Sequence, residues 1–521
     1  MIPSADYGSL RKSIYLLLIT ISAGIVAGRI LSIVRVYEPY LFRQPGETIS
    51  ALSAWPAIRP VPMATFGAND RSRWCTIRAL VDEGTYVIGY RDSSRASPQN
   101  PYGDYGIHKE DGWETIDKVL LPGPEPQQFY SSKPPLLPTI LAGEYWLLKD
   151  VFGWHIADQP GNGLVVRAIL FSVNWLPWVI SLVLLSRMID RLGTTDWGRL
   201  YVMAAACFAS YQTTFAITLT NHTVAAWSAV FALYFTLAVI RTHQHHGSSD
   251  DSSRNLFLFL AGFFGCFTAC NELPAAAFGI ILFLILFVHF PLRTLVYFVP
   301  AAAVLVAAFL ITNHLAIGKW TPAYGEISGP MYQYPGSHWK IDPGVIKPGI
   351  DFAWQKEGKF AYAFHLLVGH HGIFSLSPIF LLTLGSSIVV LIGYFSAEWS
   401  SEHLAVSQKL SLLPGFRSMP EVVMISAVSL ILMVTVVGFY LVKSNNYGGW
   451  TSGPRWFMWL TPLFLLAILP CADRLGQKKS GRLFAYLLLA LSVLSVSYPA
   501  WNPWRHPWIY NLLEALDRIK Y

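Results

Sequence analysis

Charge is scarce in this chain. Asp, Glu, Lys and Arg together make up 13% of its 521 residues, while 53% are hydrophobic. That excludes an ordinary soluble domain, in which about a quarter of residues are charged. Cysteine is sparser still. The five are Cys75, Cys207, Cys266, Cys270 and Cys471; four fall inside or beside apolar runs, and neither a disulfide framework nor a zinc spacing appears. No nucleotide-binding motif is present, no internal repeat is apparent, and nothing marks a separate soluble domain. The formal charge of +7 suggests a nucleic-acid partner only until the basic residues are located. They are scattered through short loops, which suits membrane topology and excludes a binding stripe, so no nucleic acid is expected.

What the chain does have is repeated apolar runs of about 20 residues, each long enough to cross roughly 30 Å of hydrocarbon. They fall near 13–35, 164–187, 199–217, 221–242, 255–273, 275–292, 294–315, 373–396, 421–443, 455–472 and 483–499. The expected fold is an all-α integral membrane protein with about eleven transmembrane helices, residues 1–521 forming a single multi-pass domain. The first run follows Arg11 and Lys12 without a small-residue cleavage site, which predicts an uncleaved helix rather than a signal peptide.

One further run, about 136–152, is short and polar for a span, with Glu144, Tyr145, Trp146 and Lys149 in its interior. Parity decides its place. If it does not cross, one side receives Arg11/Lys12, Arg187/Arg191/Arg199, Arg241/Arg254, Arg293, Lys409/Arg417 and Arg474/Lys478/Lys479/Arg482, as the preference for basic cytoplasmic loops requires. If it crosses, most of these loops move outside. The run therefore reads as an interfacial helix and the N-terminus as cytoplasmic. The outer (periplasmic or lumenal) face then receives 36–163, the turn at Asn221-His222, 316–372 and 444–455. The tail 500–521, with Trp504, Trp508, Leu512, Leu513 and Leu516, reads as an interfacial helix there. His243, His245 and His246 fall in a polar cytoplasmic connector.

The outer intervals hold the residues with chemistry. In 69–78, a helix brings Asp70, Arg73, Trp74 and Ile77 onto one face; it can lie on a bilayer with its aromatic side down and Asp70 in the favourable dipole at its start. A glycosyl transfer needs a carboxylate to take the acceptor proton and positive charge for the departing phosphate; the same pair can equally be a helix cap and a surface ion pair. In Tyr130-Ser131-Ser132-Lys133-Pro134-Pro135, the prolines fix Lys133 near the membrane surface, where it meets a lipid phosphate or simply snorkels. Asn271-Glu272-Leu273-Pro274 ends a span opposite Asn221-His222, reading as a substrate site or as capping. His370 and His371 open another span. Adjacent side chains converge poorly on one ion, and no nearby acid or third histidine completes a set in sequence, so they read as substrate-orienting and no metal ligand is assigned. In Gly448-Gly449-Trp450-Thr451-Ser452-Gly453-Pro454-Arg455, glycines allow close backbone approach, Trp450 offers a face to a sugar, and Arg455 at the start of a span calls for an anion; a tight turn with interfacial tryptophans has a similar composition.

An acid-initiated helix in a large first outer loop, a Lys-Pro-Pro-Leu segment and a ladder of spans together resemble the GT-C membrane glycosyltransferases, in the branch of the protein O-mannosyltransferases and aminoarabinose lipid A transferases. That branch has a loop helix like Asp-Glu-x-Arg-Tyr, matched here by Asp70, Arg73 and Trp74, and a Tyr-x-x-Lys-Pro segment matched by Tyr130 and Lys133. Arg71 replaces the second acid, and Glu272 stands where some members carry lysine. The resemblance implies a GT-C fold and a polyprenyl-phosphate sugar donor taken at the outer face, with a lipid, glycan or protein acceptor. By it, Asp70 is the catalytic base, and Arg73, Tyr130, Lys133 and Arg455 hold the donor phosphate. No cofactor is implied. The competing readings are a transporter or flippase for a lipid-linked anion and a non-catalytic membrane scaffold; the gathering of polar residues in outer loops rather than at mid-membrane favours the enzyme.

Overall fold

The computed structural model describes residues 7–33, 64–157, 163–244, 251–402, 419–444, 446–499, 502–519 and 521. Lys409, Arg417, His245, His246, Trp501 and the stretch 34–63 of the first outer interval lie outside the described residues. In chain order the helices are α1 (Tyr7–Leu31), α2 (Ala68–Arg78), α3 (Leu136–Phe152), α4 (Gly163–Leu192), α5 (Asp196–Phe208), α6 (Asn221–Arg241), α7 (Asp251–Asn271), α8 (Leu273–His289), α9 (Pro291–Ile317), α10 (Lys359–Leu367), α11 (Pro378–Ser396), α12 (Glu421–Lys443), α13 (Arg455–Leu475), α14 (Lys479–Ser497) and α15 (Trp508–Ala515).

The first helix shows how an apolar run becomes part of the bundle. Tyr15, Ile19, Ser22, Val26 and Ile30 recur every three or four residues and are buried, whereas Leu16, Leu17, Ile21 and Ile25 are exposed. One stripe meets other helices and the rest presents an apolar surface suited to lipid. Nine helices among the described residues are long and apolar enough to cross a bilayer, and the chain is a multi-pass, mostly helical integral membrane protein. Helix α6 forms the centre, with Val224, Ala225, Ser228, Ala229, Ala232 and Thr236 fully enclosed.

Two of the eleven expected runs form shorter helices. The run 199–217 is continuously helical only to Phe208 in α5, of 13 residues, with a separate single helical turn at Gln212–Phe215. Beyond Phe208, Ser210 and Thr213 hydroxyls bond local backbone, Gln212 Nε2 donates to the Thr223 carbonyl, and Asn174 Nδ2 donates to the carbonyls of Ala216 and Thr218. These polar side chains offer the backbone partners other than the helix ladder, which hydropathy does not register. The run 275–292 becomes α8, opened by a tight turn at Pro274 and ended before Pro291, which starts α9.

Ion pairs sort the helix ends. Arg11 of α1 bonds Asp190 at the end of α4 (2.6 Å) and Asp196 at the start of α5; Arg191 bonds Glu421 of α12. The Asp473 carboxylate of α13 accepts from the backbone and hydroxyls of Thr194 and Thr195 at 2.6–2.9 Å. Leu31 and Gly163, at the opposite ends of α1 and α4, therefore face the other end of the bundle together. The interval between them returns to the end it left, and α3 does not traverse: it packs on α2 while Lys149 and Tyr145 bond Asp82. Its outer side, with Ile140, Leu147, Val151 and Phe152 exposed, suits a membrane interface.

That interval also holds a sheet the sequence reading did not contain. Strands β1 (Gly89–Arg91), β2 (Asp104–Tyr105), β3 (Lys118–Leu120) and β4 (Gln127–Ser131) form an antiparallel sheet in the order β2-β1-β4-β3, with Gly89 opposite Phe129 and Lys118 opposite Ser131. Strands of two to five residues leave almost no alternating pattern to read. The sheet lies over α2, and residues Asp70 to Ile77 are all buried, Trp74 completely. Helix α2 is thus enclosed by protein instead of resting its aromatic side on a bilayer.

Candidate active site

The start of α2 is set by Gly67 in an extended conformation (φ −108°, ψ 170°). Asp70 accepts the backbone N–H groups of Phe66 (3.1 Å) and Gly67 (2.7 Å), satisfying donors that a helix start leaves open. A side chain at Gly67 would collide with the Trp504 ring, 2.8 Å from an added Cβ. Burial pushes the Asp70 carboxyl up to about 6, opposed by the Phe66 N–H and the charge of Arg71. The residue expected to act as base is, in this geometry, a capping carboxylate with both oxygens engaged.

Arg73, one turn on, is buried and reaches across to the bundle. It donates to the Asn69 carbonyl (2.7 Å), to Asn69 Oδ1 (2.6 Å) and to Asn221 Oδ1. Asn221 in turn donates to the Asn271 carbonyl (2.7 Å) and to Glu272 Oε1 (2.8 Å), which also meets His222 Nδ1. One chain of contacts thereby joins the loop helix to the starts of α6 and α8. Burial lowers the Arg73 guanidinium to about 10, with Asp117 the strongest opposing charge.

Asp117 was invisible in sequence, one acid in an irregular stretch. Its Oδ1 lies 2.9 Å from Lys133 Nζ, and its carbonyl accepts from Ser72, whose hydroxyl is also 2.6 Å from that of Ser131. Strand β4 and α2 so hold Lys133 beside Arg73, and burial lowers the Lys133 ammonium, with Asp117 opposing. Tyr130, Ser131, Lys133 and Pro135 line a cleft whose other wall is Asn313, Ala316 and Ile317 of α9. The Tyr130 hydroxyl donates to Gln128 (2.6 Å), so the tyrosine borders the cleft without pointing its hydroxyl at Lys133.

Arg455 completes the cluster from the first turn of α13. Buried, it donates one bond to the Gly448 carbonyl at 2.5 Å, which the left-handed Gly448 and Gly449 (φ 91° and 72°) turn inward. Its Nε and the other terminal nitrogen have no acceptor among the described residues. Its guanidinium carbon lies 4.9 Å from the centre of the Trp504 ring, which the sequence placed in an interfacial tail. Arg73 and Lys133 feel the charge of Arg455, Asp117 acts on all three, and Glu272 acts on Arg73 and Arg455. Asp70 and Asp351 also act on this cluster, so it is the open donors of Arg455 beside Arg73 and Lys133, rather than a net positive charge, that suit an anionic ligand such as a phosphate.

His370, His371 and Trp450 are not in this cluster. The histidine rings pack on Tyr447 at 4.9 and 5.2 Å, and Trp450 tilts on His506 at 4.8 Å. This second group of side chains adjoins the first through the 446–455 loop: Tyr447 belongs to one and the Gly448 carbonyl to the other.

No protein-family model matches the chain, and no curated protein matches it in sequence. Its fold is similar to solved structures of the Archaeoglobus fulgidus oligosaccharyltransferase. For the apo form the identity is 10% and the TM-score 0.43, over 96% of this chain and 57% of that one. For the complex with zinc and sulfate they are 10% and 0.42, over 94% and 53%. For the complex with an inhibitory peptide and a dolichol-phosphate they are 11% and 0.42, over 97% and 56%. The chain spans a little over half the length of the structures it matches.

Proposed function

We propose that this chain is a GT-C glycosyltransferase that moves a sugar from a polyprenyl-phosphate donor to a lipid, glycan or protein acceptor on the outer face of a membrane. The observation that carries the reading is Arg455, a buried cation with two nitrogens unpartnered among the described residues, beside Arg73 and Lys133. Unmet buried donors are costly, and a phosphate supplies the missing acceptors. The cleft between Lys133 and α9 gives a lipid chain a sideways approach from the bilayer, and the Asp70, Arg73, Tyr130 and Lys133 motifs carry the family likeness. The cluster lies at one end of the bundle, whereas a transporter keeps its polar residues near mid-membrane.

In the step proposed, the acceptor oxygen or nitrogen attacks the anomeric carbon, the bond from that carbon to the phosphate oxygen breaks, and the phosphate leaves with its charge held by Arg73, Lys133 and Arg455. A carboxylate takes the acceptor proton. The family likeness gives that role to Asp70; the geometry favours Asp117, which faces the cations, and leaves Asp70 to position Arg73 through the start of α2. Asn221, His222 and Glu272 fix Arg73 from the bundle side.

The test is transfer of labelled sugar from a panel of polyprenyl-phosphate sugars by purified protein, with Asp117→Asn, Asp70→Asn and Arg455→Ala alongside. Turnover lost in Asp117→Asn with donor binding retained supports the reading. Turnover lost in Asp70→Asn at unchanged thermal stability, and kept in Asp117→Asn, returns the base to Asp70. No donor binding in the wild type, or wild-type affinity in Arg455→Ala, overturns the phosphate site.

A further inference from the structure

The second outer interval brings together groups that no stretch of sequence displays as a set. Glu357 precedes α10, His365 lies in its last turn and His370 follows three residues after its end. One carboxylate oxygen and one ring nitrogen from each histidine lie within 4.8 Å of one another. Glu357 Oε1 is 3.8 Å from His365 Nε2, too far for a hydrogen bond, and the two imidazoles stack at 4.0 Å.

The surroundings orient all three. Tyr447 donates to Glu357 Oε2 (2.6 Å), and His371 Nδ1 is 2.5 Å from His370 Nδ1, leaving His370 Nε2 to face the group. The Tyr521 hydroxyl meets both that nitrogen (2.7 Å) and Glu357 Oε1. Tyr521 donates to Glu357 Oε1, and the His370 tautomer sets which group donates between Tyr521 and His370 Nε2; a metal ion at this nitrogen takes the tautomer in which it carries no proton. His365 Nδ1 is buried without a partner among the described residues, and Gly369 is required beside it, since an added Cβ would stand 2.3 Å from that nitrogen.

We propose that Glu357, His365 and His370 bind a divalent transition-metal ion of the zinc class, with the Tyr521 oxygen or a water as the fourth ligand. Two imidazoles and one carboxylate are a borderline donor set that suits zinc and disfavours magnesium or calcium, which take oxygen cages, and copper(I), which takes sulfur. Metal–ligand bonds of about 2.0–2.2 Å bring tetrahedral donors to roughly 3.4 Å from one another, so the groups close on the ion by about an ångström. The Glu357 and His365 side chains are 12% and 16% exposed, which leaves a way in from solvent. The ion ties Tyr521 to the loop carrying α10. The proposal is independent of the phosphate pocket, as none of the three ligands belongs to it.

The test uses full-length protein purified without a polyhistidine tag, stripped with chelator and titrated with zinc chloride. Calorimetry and elemental analysis are expected to give one zinc per chain, and cobalt(II) loading to give the visible bands of a tetrahedral site. Glu357→Gln and His365→Gln are each expected to weaken binding at least about tenfold, while His155→Gln, at an exposed position, retains it. Monodisperse elution and unchanged helical circular dichroism show that the variants fold. Wild-type binding that is no tighter than that of Glu357→Gln, or a cobalt spectrum that survives both substitutions, overturns the site.

Discussion

Arg455 and His108 are the residues at which burial has the clearest measurable consequences. Charge-assisted hydrogen bonds contribute about 1.5–3 kcal/mol, so Arg455→Lys, which keeps the charge and loses the planar fork, is expected to lower donor affinity by about 10- to 100-fold. The stability of the ligand-free protein is expected to hold or fall, because a buried ammonium is more strongly hydrated than a guanidinium and its own donors still need acceptors; melting curves with and without donor separate the two effects. His108 is buried against Phe129 at 4.5 Å, and burial lowers its ring from 6.5 to about 3. Between those values the unfolded chain binds the proton and the folded chain does not, so stability is full above pH 6.5 and falls on acidification. Each pH unit in that window removes up to about 1.4 kcal/mol. The melting temperature of His108→Gln is therefore expected to vary less between pH 6.5 and 4 than that of the wild type.

Among the elements, the α4–α5 link shows how a helix start depends on a distant carboxylate. Asp473 accepts four bonds from Thr194 and Thr195, and a Cβ on Gly198 would stand 2.2 Å from its Oδ1. Asp473→Ala and Gly198→Ala should each destabilise the protein by on the order of 3 kcal/mol. Because both break one arrangement, the double variant should fall well short of the sum, as denaturant titration of the four proteins would show. This link marks the limit of what hydropathy discloses. Runs of leucine, isoleucine and valine made most spans legible, since a bilayer demands length and apolarity. The break after Phe208 was hidden because it depends on where Asn174 and Gln212 point, and the sheet because its strands are too short to show a period. Lys133 and Arg455 stood out as charges beside apolar runs, and Asp70 and Arg73 by their spacing on one face of a helix. Asp117 and Trp504 did not, because proximity in space made them part of the cluster.

For the whole molecule, the two ends of the bundle define a sidedness that one labelling experiment can read. We expect Ser94→Cys, at an exposed site in the interval that carries the cation cluster, to react with an impermeant maleimide from outside the cell, and Gln477→Cys, exposed at the end of α13, to react only after permeabilisation. Equal accessibility would contradict the alternation of helix ends drawn from Arg11, Asp190 and Asp473. The cluster itself is gathered from across the chain. Trp504 lies against both Gly67, where α2 begins, and Arg455, where α13 begins. During synthesis the loop helix, the sheet and all the described spans therefore emerge before the ring that covers the pocket, and the cations must wait, partly uncovered, until Trp504 has left the ribosome. A product cut short before that point would carry its full ladder of spans into the membrane and still have an unfinished pocket.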